Sequence, residues 1–289
     1  MPDSHPWLGP LYMTVGVFFF VCVNAIIKAM DHSYPSETIL FFRFSFATLP
    51  CILYMLIRGQ VNLIATKNLK IHALRGTLGL VSLFFLFESI RLLPLSEAVT
   101  ISFISAVFVT LFALVFLKES CSLRQWFYLI LGFSGVILIA QPDQSNLKLG
   151  VLYGLGSAAI EGGMIIHTRF LSRQYHPVQI AFYYALFAAL FCTPFLIQSW
   201  SPISTRDLLF LSLVGIGGGT GQIFLFKAAQ HAPGSKLAPM IYTQIIWSLL
   251  FDWTFFYANI STTAFVGMGL IIFSGIASTL KNKTVSFQG

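Results

Sequence analysis

Ten times along its 289 residues this chain runs apolar for about 20 residues before a short polar or proline-containing turn interrupts it. That is the length a helix needs to cross the hydrocarbon core of a bilayer. The runs lie at 8–29, 36–57, 72–92, 96–117, 123–140, 149–169, 177–197, 207–228, 237–257 and 263–280. The longest turn, "RGQVNLIATKNLKI" at 58–71, holds nothing that could bury a core. Charged residues make up 9% of the chain, against about 25% in soluble domains, so a water-facing surface cannot be built. An all-α integral membrane protein with ten transmembrane helices follows, because helices satisfy their own backbone polar groups in lipid. The 30 phenylalanines read as lipid-facing and helix-packing residues.

The distribution of Lys and Arg sets a topology. With the N-terminus, the even-numbered turns and the C-terminus on one side, that side collects twelve of the 17 basic residues. The other side collects four, Lys28, Arg91, Lys148 and Arg206, and Arg43 falls inside the second run. This bias puts both termini in the cytoplasm of a multi-pass protein of the cell (inner) membrane. The net charge of +7 therefore orients the chain and implies no nucleic acid. Residues 1–8 lack the positive n-region of a cleaved signal peptide.

Two halves are legible. "FLFESIRLLPLS" at 85–96 matches "FLFKAAQHAPGS" at 224–235 at a shift of 139. "FSG" recurs at 133–135 and 273–275, "GPLY" at 9–12 matches "GVLY" at 150–153, and Tyr34 matches Tyr175 at a shift of 141. The expected division is 1–145 and 146–289, five helices each. Five is odd, so the second half enters the membrane from the opposite side, as in many secondary transporters. The same register explains "VGIGGGTGQ" at 214–222, which misses the third glycine of a dinucleotide fingerprint. Gly215 and Gly218 fall on Gly76 and Gly79, so the stretch reads as a close-packing helix face. Gly217, Gly219 and Gly221 are extra, and raise the question of whether the eighth helix bends or thins beside Gln222.

On these features the chain resembles the drug/metabolite transporter superfamily, EamA type. "FFRF" at 41–44, "LRGTLGLVSLFFLFESIRLLPLSEA" at 74–98 and "LFALVFLKES" at 111–120 carry the resemblance. Glu119 stands at the family's usual acidic position, and Asn259 replaces that acid in the second half. The "FFRF" and "HALRG" pieces look most like the branch that includes S-adenosylmethionine uptake carriers. The resemblance implies a cavity lined by helices 1, 3, 4, 6, 8 and 9, which favours Asn24, Glu161, Gln222, Tyr242, Gln244 and Trp247 and demotes Trp126.

Ionisable residues inside spans are costly, about 2.5–3.5 kcal/mol at mid-helix on insertion scales, and usually face a cavity or a partner. Glu161, central in the sixth run, is the sharpest candidate, for a cationic substrate group or a proton. Arg43 suits a carboxylate or phosphate, or pairs with an acid. Asp252 and His167 are candidates for coupling. Glu88 and Lys227 align across the repeat as a conceivable gate pair, although both lie near helix ends. Glu97, Lys28 and Lys118 read as loop or snorkelling charges. Thr100 and Ser105 add hydroxyls. A mostly apolar pocket with a few polar groups is the usual small-molecule site. The four cysteines are scattered and the six histidines lack ligand spacing, so no metal, no cofactor and no catalytic set is expected.

The expected function is a secondary carrier of a small organic metabolite, S-adenosylmethionine or a related amino-acid- or nucleoside-like solute, working as monomer or homodimer. An exporter of amino acids or drugs is the alternative within the superfamily. A membrane enzyme lacks a catalytic group set, and a sensor or scaffold would not need central polar residues in both halves. Replacing Glu161 with Gln is expected to impair transport with normal membrane insertion; wild-type uptake rates in that variant would make Glu161 structural.

Overall fold

The computed structural model describes residues 7–30, 34–66, 68–116, 123–140, 145–172, 174–198, 200–231, 237 and 240–280. Glu119, Lys118 and Cys121 lie outside these residues. The described part is all-helical. The elements are α1 (Leu8–Met30), α2 (Ser36–Ile57), a 3₁₀ turn (Val61–Ile64), α3 (Leu69–Leu92), α4 (Leu95–Ser102) and α5 (Ser105–Phe116). They continue with α6 (Leu123–Ala140), α7 (Ser145–Ser172), α8 (Pro177–Gln198), α9 (Thr205–His231), α10 (Thr243–Thr254) and α11 (Thr262–Leu280). Five segments are long and apolar enough to cross a membrane on their own: α1, α2, α3, α8 and Thr205–Leu225 of α9. Below, the near end is the one where α1 starts and α11 finishes, and the far end is the opposite one.

The architecture is ten transmembrane segments in a five-plus-five inverted repeat. α2 and α8 each have 22 residues and stand 141 apart at both ends. The packing pairs respect the exchange of halves. α1 packs on α9 as α7 packs on α3, and α2 packs on α9 as α8 packs on α3. The self-paired contacts are α2 with α8, α4 with α10, and α6 with α11.

The fourth segment was expected as one helix over 96–117 and is broken. α4 ends at Ser102, and Phe103 and Ile104 form a turn before α5. The ninth segment, expected over 237–257, has the same break at Tyr242. Phe103 and Tyr242 stand 139 apart and share one backbone conformation, φ −67° and ψ −15°. Hydroxyls bonded back to carbonyls surround both breaks: Thr100 to Ser96, Ser102 to Val99, and Thr243 to Met240. Such back-bonds bend helices. The two rings touch, with centroids 5.1 Å apart. Equivalent residues of the two halves meet only near the pseudo-two-fold axis, so this pair marks it.

The glycines of α9 show why the halves fit. Gly215 abuts Phe46 of α2, and its repeat mate Gly76 abuts Phe187 of α8, 141 residues from Phe46. Gly218 lies against the Arg43 guanidinium, and Gly79 against the Tyr184 ring, again at matching positions. Gly221 crosses Gly16 of α1. The corresponding crossing of α3 and α7 joins Ser82 to Ser157, whose carbonyl oxygen accepts the Ser82 hydroxyl at 3.2 Å. The extra glycines also have partners: Gly217 meets Val23 of α1 and Gly219 meets Ala47 and Pro50 of α2. α9 runs unbroken through the whole stretch, and the glycines thin the helix on the faces toward α1 and α2. Small residues permit this approach in lipid, where van der Waals contact drives helix association.

Gly76→Val and Gly215→Val are each expected to destabilise the detergent-solubilised protein by about 1–3 kcal/mol through overpacking. Gly269, with nothing within 4 Å of an added Cβ, is the control position. Thermal unfolding checks this, and equal midpoints for Gly215→Val and Gly269→Val would contradict the packing role.

Candidate functional site

A second pair of repeat mates meets on the axis, at Arg43 of α2 and Tyr184 of α8. They line a chamber with Ala47 and Cys51 of α2, Ala181 and Ala185 of α8, and Gly218, Gly219 and Gln222 of α9. The helical spacing i, i+4, i+8 puts Arg43, Ala47 and Cys51 on one face of α2. The small residues leave space around the guanidinium, and a Cβ on Gly218 would stand 2.5 Å from Nη1 of Arg43. The open volume is about 30 Å³. That is room for one or two waters and too little for a larger solute.

Nε and Nη1 of Arg43 are buried and have no hydrogen-bond partner. Arg75 of α3 reaches Tyr184 from another direction, with its guanidinium carbon 4.7 Å from the ring centroid. Its Nε also lacks a partner, and its Nη1 meets only the soft sulfur of Met164, at 2.6 Å. Glu161 of α7 lies within electrostatic reach of Arg75 and Tyr184, and Tyr184 also feels Arg43. Among the described residues Glu161 makes no hydrogen bond and no ion pair. Two guanidinium groups, one carboxylate and a phenol thus converge with unused hydrogen-bonding capacity, which native interiors rarely tolerate without a ligand or water.

Toward the near end, His167 of α7 lies within electrostatic reach of Arg75 and of His72 in α3. His72 is fully enclosed, stacked 4.7 Å from Tyr183 and edge-on to Tyr175, and neither ring nitrogen has a partner. Two cross-half bonds close this end: Gln179 donates to the Ala65 carbonyl at 2.7 Å, and the Tyr183 hydroxyl donates to that of Ile64.

The far end is a polar seam. Lys28 donates to the carbonyls of Leu93 at 2.5 Å and Ile90 at 3.3 Å. Both carboxylate oxygens of Asp252 accept the first amides of α4, from Leu95 at 3.0 Å and Ser96 at 2.7 Å. Asp252 is fully buried and caps a helix of the other half, satisfying amides that a helix start leaves open. Glu97, expected in a loop, is 4% exposed beside Asp252 and Lys28. The Tyr34 hydroxyl, between α1 and α2, donates to Asp207 of α9 at 2.8 Å. That bond to a carboxylate, with burial, holds the phenol proton above its ordinary pKa.

Of the residues singled out in the sequence, Arg43 and Gln222 line the chamber, and Glu161 lies within electrostatic reach of its Tyr184 wall. Asn24 is buried in α1. Tyr242, Gln244 and Trp247 belong to the α10 wall instead. Tyr242 lies against Phe103, and Trp247 sits edge-on to Phe18 at 5.1 Å with its Nε1 buried and unpartnered. No Glu88–Lys227 gate exists. Glu88 pairs with Arg91 at 3.3 Å and accepts the Ser36 hydroxyl, while Lys227 lies over Tyr12 and Phe224. Thr100 bonds back within α4. The Trp126 side chain lies outside the described residues. Arg75 and Tyr184 were missed. The repeat register held the signal for Tyr184, which falls 141 residues after Arg43.

Comparison with known proteins agrees with this geometry. The profile of the EamA-like transporter family matches residues 7–141 and again residues 148–280. The chain belongs to the EamA-like transporter family. Among similar proteins is the pseudopaline exporter CntI of Pseudomonas aeruginosa, 28% identical over 280 residues, covering 95% of this chain and 97% of that one. The S-adenosylmethionine uptake transporter of Rickettsia conorii is 27% identical, over 83% of both chains. Solute carrier family 35 member G1 of Homo sapiens is 27% identical, over 96% of this chain and 80% of that protein. One crystal structure shares the fold, with a TM-score of 0.65 at 18% identity, over 97% of this chain and 99% of that one.

An unpaired buried guanidinium is a stability liability. Arg43→Met is therefore expected to leave the unliganded protein as stable or more so, while uptake falls at least about tenfold. Thermal unfolding and uptake by the same preparation check this; lost stability with unchanged uptake would make Arg43 a packing residue.

Proposed function

We propose that this EamA-family protein is a secondary carrier of a small amino-acid-like metabolite, moved across the cell (inner) membrane by alternating access. Both termini face the cytoplasm, and the halves, divided near residue 145, rock about the chamber. The observation that carries the reading is the pair of buried guanidinium groups, Arg43 and Arg75, whose nitrogens lack partners beside Tyr184, with Glu161 within electrostatic reach. Arg43 takes a carboxylate, Glu161 takes an amine, and Gln222 and Asn24 add neutral hydrogen bonds. Tyr242, Gln244 and Trp247 form the wall that shifts as α10 moves. The relatives named for S-adenosylmethionine uptake and for pseudopaline export support a transporter role and differ in solute and direction.

Proton coupling runs through Glu161 and His167 toward the near end. Asp252 plays no part in it, because both of its oxygens hold α4. The purified protein in proteoliposomes is expected to show counterflow: labelled amino-acid-like solute accumulates when the same unlabelled solute is trapped inside. Any binder should also raise the unfolding temperature in a dose-dependent way. Absence of both responses across amino acids, nucleosides and S-adenosylmethionine would end the carrier reading.

A further inference from the structure

Two positive groups and one negative group surround Tyr184 among the described residues: Arg43 lines the chamber with it, Arg75 stacks on its ring, and Glu161 lies within electrostatic reach of Tyr184 and Arg75. None of the three forms an ion pair. A buried charge left uncompensated is strongly unfavourable, so a bound solute must supply what is missing. A substrate with one carboxylate and one ammonium would occupy Glu161 and a single arginine, leaving the other guanidinium bare. A net cation such as a sulfonium amino acid would add positive charge to a site that already carries an excess.

The arginines also come from different helices. Arg43 is on α2 and is packed against Gly218, whereas Arg75 is on α3 and is stacked on Tyr184. One phosphate would be gripped by adjacent donors, but two guanidinium groups on separate helices suit two separate acidic groups. We propose that the substrate is an amino-dicarboxylate of net charge −1. Arg43 and Arg75 each take one carboxylate, Glu161 takes the ammonium, and the Tyr184 hydroxyl bonds to a carboxylate between them. This rests on the carrier reading above and narrows it, against a sulfonium substrate.

The test uses the full chain in proteoliposomes with four labelled probes: glutamate, glutamine, glutarate and S-adenosylmethionine. Glutamate and glutamine differ only in the second acidic group, and glutarate lacks the ammonium. Wild-type protein is expected to take up glutamate at least about tenfold faster than glutamine, because the amide leaves a guanidinium unpaired. Arg75→Gln should bring the two rates together, and Arg75→Lys should restore part of the preference. Glu161→Gln removes the partner of the ammonium and should raise the glutarate-to-glutamate ratio at least about tenfold. That gain cannot arise from misfolding.

Preferred uptake of glutamine or S-adenosylmethionine, or a ratio unmoved by Glu161→Gln, overturns the charge assignment and leaves the carrier standing. No transport and no thermal shift with any of the four probes overturns both.

Discussion

Helices in a bilayer have no hydrophobic reason to touch one another, since lipid tails are as apolar as leucine. Contact has to come from close surfaces, and here glycine and serine provide them. Gly16 on Gly221 and Ser82 on Ser157 are the same crossing in the two halves. Gly76 and Gly215 seat Phe187 and Phe46 in the same manner. These crossings hold α3 and α9 close to α8 and α2, and so fix where Arg43 and Tyr184 meet. A longer side chain at any of them would move a chamber wall.

Polar groups in the interior divide into two kinds. At the far end three of them are spent on structure. Asp252 closes the amides of α4, Lys28 closes the carbonyls at the end of α3, and Tyr34 binds Asp207. Oε2 of Glu97 and Oγ of Ser96 stay without partners in the same seam, whereas at the chamber it is two guanidinium groups that are unspent. Neither helix position nor burial alone draws the distinction, because Asp252 is more enclosed than Glu161. The chamber differs in holding two guanidinium groups that no carboxylate pairs among the described residues.

Much of the fold was written plainly in the chain. Apolar runs of membrane-spanning length and a shift of 139–141 residues yield ten segments and two halves, because periodicity and duplication are local in sequence. The breaks at Phe103 and Tyr242 were not legible, since hydroxyls in apolar helices bond back to their own turn as often without a break. Arg43 and Glu161 stood out as charges in mid-span. Arg75 did not, because six residues from a helix start reads as snorkelling length, yet its side chain turns inward over Tyr184. Asp252 was visible as a buried acid, but its partner lies 157 residues away, and only the fold could show that it serves as a cap.

The meeting of Arg43 with Tyr184 has an energetic consequence. If the halves were identical, exchanging their conformations would return the same molecule, and the two open states would have equal energy. Here the exchange would put an arginine into the setting of a tyrosine and a tyrosine into that of an arginine. The scaffold is therefore close to symmetric while its lining is not, and the proposed carrier would have a resting side when empty. In the proposed carrier the solute would then meet different affinities in the two open states.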